Sequence, residues 1–570
     1  MTAHPSPPTI TPAAPHGRWG AVVGMLVVFA LSWAVFGVSA SVIKMPPTWL
    51  TFEFCQYAEI GKNLATEGRF DTRLVEPMAL AVIDREWLAR RPDRWPVVNR
   101  YPLPCLVVAA WMKLLGPTDL AAACSNGLAL AILAATTYAA ARHWFGLGWA
   151  AAVALVFLAN PSFYGEFLLL GTPDPWFAAV FLLELLAWSS FDPSDPRPRL
   201  RWAVGLGVLG GLGYLGRFNA SIFLVIQALA LLRHRRWRET AVMTASTLAI
   251  AAPMLAYNGY HFGKPFVSIY SAWNLLDRIG AYRVEPWLYY RVPDLLGELS
   301  AHWRGFAFKF VLGLADDVAP KIWSLWRLDV LMPLALVGPW LARKGSGYRR
   351  FAGWSVGLFA LQLVLFSALR LEIIVRDSPH SGRYFFWFAA PAVLIGVGTL
   401  RRLAQGRRWV LGLATLAVVG QLAISASAWS GIARWHLSEP SDLGHDAIRT
   451  MIGEVVAPGL VIASNQPHVS AWHQGIRSIS LPADLDELDR LNRMSPTPAD
   501  YLLVDEGFNT IDLDPRWRAL TQRQGASPWE PRLLRDYEYV IPPDQTRGLF
   551  YVFLRRKGIP PSRLERSLRR

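Results

Sequence analysis

Charged side chains are scarce in this chain: 17% of its 570 residues are Asp, Glu, Lys or Arg, against 53% hydrophobic. A soluble domain carries about a quarter charged residues, so the composition excludes that class and indicates a protein of the membrane. Cysteine is nearly absent. Cys55, Cys105 and Cys124 are too few and too scattered for a disulfide framework or a thiolate metal site. His436, His445, His468 and His473 lack metal-ligand spacing and read as structural. No internal repeat marks the inverted halves of a secondary transporter. The first long apolar segment, Trp19 to Ile43, lacks the small-residue cleavage site of a secretory signal and reads as a retained helix.

What is present is a series of apolar windows, each roughly 17 to 25 residues long, recurring as far as Ser430. The fold class is mainly α, a polytopic transmembrane bundle of about eleven to thirteen helices with external amphipathic loop helices and a small C-terminal α/β domain. The net charge of +15 comes largely from arginines in short turns, Arg233-His-Arg-Arg-Trp-Arg238, Arg343-Lys-Gly-Ser-Gly-Tyr-Arg-Arg350 and Arg401-Arg-Leu-Ala-Gln-Gly-Arg-Arg408. That is the positive-inside pattern and calls for no nucleic acid partner. With these turns cytoplasmic, the expected setting is a bacterial-type cytoplasmic (inner) membrane. Residues 44–100, 258–320 and everything after 430 then lie outside. Counted this way, 101–116 cannot cross and is re-entrant or interfacial, or else Arg142 breaks the charge rule.

Residues 1–15 are rich in Pro and Thr and read as a disordered tail, followed by the bundle over 16–430. In 431–570 the pattern changes to short apolar runs, Gly459 to Ala463, Ser478 to Leu481, Tyr501 to Val504 and Leu549 to Leu554, with helical stretches near Leu485 to Arg493 and Pro515 to Gln524. In the external loops, Asp84 to Arg91 and the aromatic run Val292 to Leu314 read as amphipathic helices suited to a membrane interface.

Chemistry is expected where hydropathy leaves a charge unexplained. A helix beginning near Thr51 places Glu53, Tyr57, Ile60 and Leu64 on one stripe, with Glu59 and Lys62 able to pair elsewhere. Thr51 as N-cap gives Glu53 an ordinary explanation through the helix dipole. Asp174 stands between two prolines where a segment re-enters the membrane, and helix capping is again the plain alternative. Two carboxylates on one face can hold a divalent cation (Mg or Mn), position a nucleophile or take its proton. Arg217, Arg376, His380 and Arg383 supply the opposite charge in outer turns. For a lone arginine, snorkelling to headgroups is the simpler reading, but a guanidinium fork also suits phosphate.

In their order these stretches resemble the C-type membrane glycosyltransferases, in particular the protein mannosyltransferase and aminoarabinose lipid A transferase group. Glu53 takes the place of the first-loop acid, Tyr57-Ala-Glu-Ile60 the helix after it, and Tyr101-Pro-Leu-Pro104 the lead into the next segment. Asp174-Pro175 matches a later turn, Gly205 to Arg217 a Gly-rich stretch ending in a basic residue, Asn258 to Pro265 the middle loop, and Arg383-Tyr384 the distal pair. The family's first-loop acid is usually aspartate, and the second proline of its Tyr-Pro-Pro motif is Leu103 here.

The resemblance implies transfer of a sugar from a polyprenyl-phosphate donor to a lipid, glycan or protein acceptor on the external face, with inversion. Glu53 and Asp174 would be the catalytic acids and possible cation ligands. Arg217, Arg383, Tyr384 and His380 would bind the donor phosphate, with Tyr57 and Tyr101 supporting the site. A flippase of a lipid-linked sugar, or an envelope scaffold, would use the same features without chemistry.

Overall fold

In a computed structural model, residues 15–42, 52–83, 93–98, 100–166, 173–191, 199–266, 274–318, 321–343, 345–367, 383–405, 408–438, 450–505, 514–522, 527–541 and 551–568 are described. Six of the described helices are long and apolar enough to cross a membrane. The bundle contains α1 (Pro15–Val42), α5 (Asp119–Phe145), α6 (Leu147–Ala159), α7 (Asp174–Ser190), α8 (Leu200–Gly216), α9 (Ala220–Arg233) and α10 (Trp237–Phe262), then α13 (Leu331–Leu341), α14 (Gly347–Ser367), α15 (Ala389–Ala404) and α16 (Arg408–Ser438). Outside it lie α2 (Phe52–Glu67), α3 (Pro77–Val82), α4 (Pro102–Leu115), α11 (Leu295–Ala301) and α12 (Trp303–Leu312). The expected run from Val292 to Leu314 is thus two helices, parted at His302. The stretch Asp84 to Arg91 lies outside the described residues.

Small residues let the spans approach. On α8 a Cβ at Gly207 would run into the Met243 carbonyl oxygen, and one at Gly211 would stand 2.6 Å from Ile250 Cβ, so α8 and α10 pack backbone to backbone. Gly127 of α5 admits Phe36 of α1, which a Cβ would meet at 2.9 Å.

α4 covers the stretch to which the charge pattern gives no direction. Its leading Tyr101 packs edge-on against Phe218 at 5.1 Å, beside the C-terminal end of α8. Past its far end, Asp119 accepts a 2.8 Å hydrogen bond from Trp472 of the C-terminal domain. Between these ends α4 lies along α2, where a Cβ on Gly61 would strike Val108, and it leaves Leu106, Leu114 and Leu115 exposed. Both ends of this helix of 14 residues therefore lie on the side of the bundle that meets the C-terminal domain.

The C-terminal domain carries β4 (Val461–Ser464), β5 (Arg477–Ser480), β6 (Tyr501–Asp505), β7 (Tyr537–Tyr539) and β8 (Tyr551–Arg556), with α17 (Pro467–Gln474), α18 (Leu485–Met494), α19 (Pro515–Gln522), α20 (Glu530–Asp536) and α21 (Arg563–Leu568). The first loop supplies β1 (Asp71–Thr72), β2 (Leu74–Val75) and β3 (Trp95–Pro96), and β2 joins the sheet of the C-terminal domain in the order β2-β5-β4-β6-β8-β7. Leu74 pairs with Ser478 and Val75 with Ile479, in parallel. The middle loop is held as well: Glu487 accepts from the Tyr290 amide at 2.9 Å, and the Ala483 amide donates to the Leu288 carbonyl at 2.9 Å. The C-terminal domain therefore grips both the first and the middle loop.

Candidate active site

Asp174 is the first residue of α7 and is 1% exposed. Neither of its carboxylate oxygens accepts a hydrogen bond among the described residues. Instead it forms a buried ion pair with Arg217, joining the N-terminal end of α7 to the C-terminal end of α8. The helix N-terminus adds a favourable field for the carboxylate. Arg217 ends α8 in extended backbone, its amide bonded to the Gly213 carbonyl at 2.7 Å. Gly216, just before it, lies against Leu103 and Phe177, which a Cβ there would meet at an ordinary 3.7 Å.

The distal pair arrives from the 3-10 turn Arg383–Phe388. The Tyr384 ring lies 5.1 Å from the Arg217 guanidinium and 4.9 Å from that of Arg383, and Arg383 Nη2 donates to the Tyr384 hydroxyl at 3.0 Å. Such cation–π contacts strengthen when desolvated. The structure thus brings Asp174, Arg217, Arg383 and Tyr384 into one cluster. Tyr101 adjoins it through Phe218, the residue next to Arg217.

Tyr57 reaches this region indirectly. It is buried in α2, with the Arg100 guanidinium 6.0 Å from its ring. Arg100 Nε donates to Gln56 Oε1 at 2.5 Å, and Arg100 pairs with Glu76 at 3.2 Å. Glu53 lies on α2 one turn before Tyr57, and its side chain is outside the described residues, as are Arg376 and His380. Among the described residues no three His, Cys, Asp or Glu side chains are grouped for a metal, and Asp174 is already neutralised by Arg217. The other expected cation ligand, Glu53, has its side chain outside the described residues.

Two residues escaped the sequence reading. Arg100 is one. Gln362, the single amide within the apolar helix α14, is the other. It donates to the Tyr384 carbonyl at 3.0 Å and accepts from the Trp387 indole, fixing the turn that carries the distal pair. A lone amide in a membrane segment is the signal that could have found it.

Glu59 does not pair with Lys62, whose ammonium instead sits 5.7 Å from the Trp472 ring. Glu59 turns inward and accepts from Asn63 Nδ2 at 2.8 Å, Thr72 Oγ1 at 2.7 Å and the Arg73 amide at 3.0 Å. Burial raises its carboxyl above the ordinary 4.5, while these donors pull it back. A raised folded-state value means that its contribution is complete below 4.5 and is lost as pH rises through that raised value. Glu59→Gln should therefore change thermal stability least near pH 4.5 and remove part of the decline toward neutral pH. Glu59→Ala should cost about 1–3 kcal/mol by leaving buried donors unmet. Melting curves of the three proteins across pH 4.5–7.5 check both, and parallel curves for wild type and the Gln variant would contradict the first.

Residues 99–259, a span that includes Tyr101, Asp174 and Arg217, match the family described as dolichyl-phosphate-mannose-protein mannosyltransferase. Among solved structures the chain is similar to ArnT from Cupriavidus metallidurans bound to undecaprenyl phosphate, with 16% identity over 95% of this chain and 98% of that one and a TM-score of 0.48. It is also similar to the oligosaccharyltransferase of Archaeoglobus fulgidus in complex with Zn and sulfate, with 12% identity over 84% of this chain and 68% of that one and a TM-score of 0.50. No curated protein sequence matches. The resemblance to the C-type integral membrane glycosyltransferases stands on the family match and on the fold shared with the archaeal protein.

Proposed function

We propose that this protein transfers a sugar from a polyprenyl-phosphate-linked donor to an acceptor hydroxyl at the outer face of a bacterial-type inner membrane. The cluster of Asp174, Arg217, Tyr384 and Arg383, the first two buried and the last two part-buried, where α7, α8 and the Arg383–Phe388 turn meet, carries this reading. Arginine forks match the oxygens of a phosphate, and burial strengthens their hold on the charge that develops as it leaves. Asp174 orients Arg217. Tyr384 spaces the two guanidiniums. Glu53, at the start of α2, takes the proton from the acceptor hydroxyl as its oxygen attacks the anomeric carbon. The bond from that carbon to the phosphate oxygen breaks with its electron pair going to the phosphate, so the product is inverted and the polyprenyl phosphate departs. The C-terminal domain, resting on both external loops, is placed for the acceptor to approach along it.

The test is transfer of radiolabelled sugar from membrane polyprenyl-phosphate lipid in cells carrying Glu53→Gln. Loss of a general base should lower transfer by about 10²–10⁴-fold. Full transfer in this variant would sink the role of Glu53, and translocation of the lipid-linked sugar without any transfer would favour a flippase.

A further inference from the structure

The basic turn Arg343 to Arg350 is left unused by this chemistry. It borders a cavity of about 430 Å³ lined by Gly345, Ser346, Arg349, Arg350, Gly353 and Trp354. The cavity sits at the N-terminal end of α14, where Arg350 Nε donates to the Ser189 carbonyl at 3.0 Å. Ser189 lies near the last turn of α7, whose first residue is Asp174. At 1.5 Å per residue the two ends of α7 are about 24 Å apart, so the cavity opens at the opposite membrane boundary from the Asp174 cluster.

Three features suit it to an anionic headgroup. Arg349 is only partly buried, and its guanidinium has no hydrogen bond or ion pair among the described residues. Gly353 leaves the wall open, since a Cβ there would meet nothing within 4 Å. Trp354, half-buried and set edge-on to Trp188 at 5.7 Å, adds an amphipathic ring of the kind that favours a headgroup boundary. We infer that this cavity binds the phosphate of an anionic phospholipid from the leaflet opposite the transfer site, with Arg349 as its principal ligand. A free phosphate shares the ionic chemistry but would gain nothing from Trp354 or from a lipid-facing opening.

Native mass spectrometry of the purified full chain with added phosphatidylglycerol or phosphatidylcholine tests this. Wild type should retain phosphatidylglycerol in preference to phosphatidylcholine. Arg349→Gln should lower that retention about five-fold, the loss of one juxtamembrane cation. Gly353→Leu should lower it similarly by filling the cavity without touching a charge, while Arg343→Gln, in the same turn but outside the lining, should leave it unchanged. Phosphatidylglycerol retention at the wild-type level in Arg349→Gln and in Gly353→Leu overturns the site. An equal loss in Arg343→Gln overturns it in favour of diffuse attraction to the turn, and displacement of the lipid by millimolar inorganic phosphate overturns it in favour of a free-phosphate site.

Discussion

Arg217→Gln is expected to lower sugar transfer at least about a hundredfold, the scale on which removing one preorganised donor to a developing anion acts. The same change leaves the Asp174 carboxylate buried without its counter-charge, which costs about 3–5 kcal/mol. Activity could therefore fall through unfolding alone. The double variant Asp174→Asn/Arg217→Gln separates the two effects, because a neutral pair of similar shape restores much of the stability while supplying no cation. The expected order of melting temperature places Arg217→Gln below the double variant, with transfer abolished in both. Asp174→Asn alone keeps the guanidinium beside the Tyr384 ring, 5.1 Å away, and should keep a measurable share of transfer. Wild-type transfer in the stable double variant would make the pair a structural strut and remove Arg217 from the mechanism.

Charge placement made much of this cluster legible from sequence. Asp174 and Arg217 each had an ordinary explanation, helix capping for one and snorkelling for the other, and the structure joins them as a buried pair. Their pairing itself was not legible, since nothing in the spacing of two turns says that α7 and α8 meet at these ends. The charge count failed at 101–116, and there the structure gives a helix whose two ends touch Phe218 and, past its far end, the C-terminal domain. The strand β2 gave no such signal. Leu74 and Val75 make a two-residue apolar run that becomes a strand only because Ser478 and Ile479 offer a register. The four strands read in the C-terminal stretch were visible because each carries enough apolar residues to mark itself, whereas Tyr537–Tyr539 is too short and polar to do so. Gln362 lay hidden in hydropathy, which averages one amide into a wholly apolar window.

Trp472→Ala is expected to loosen the helix that bears Glu53, far from any residue it touches in sequence. The indole is 6% exposed, wedged between α2, α4 and the start of α5, with Tyr57, Cys105, Ala121 and Ala122 in the same buried cluster. Truncating a buried tryptophan costs about 3–5 kcal/mol, and it also takes the donor from Asp119 and the ring from beneath Lys62. α17, which carries Trp472, packs directly on α2, so the loss falls on the seating of α2. Hydrogen exchange over residues 54–64 should rise markedly, and transfer should drop with the apparent affinity for the donor largely preserved, since Arg217, Arg383 and Tyr384 stand on other elements. Trp472→Phe keeps the packing and gives up the hydrogen bond, a change of about 1–3 kcal/mol, and should recover most of the protection. Unchanged exchange in α2 alongside full transfer in the Ala variant would show that the membrane-facing contacts of α2, chiefly Gly61 against Val108, suffice to hold Glu53 in place.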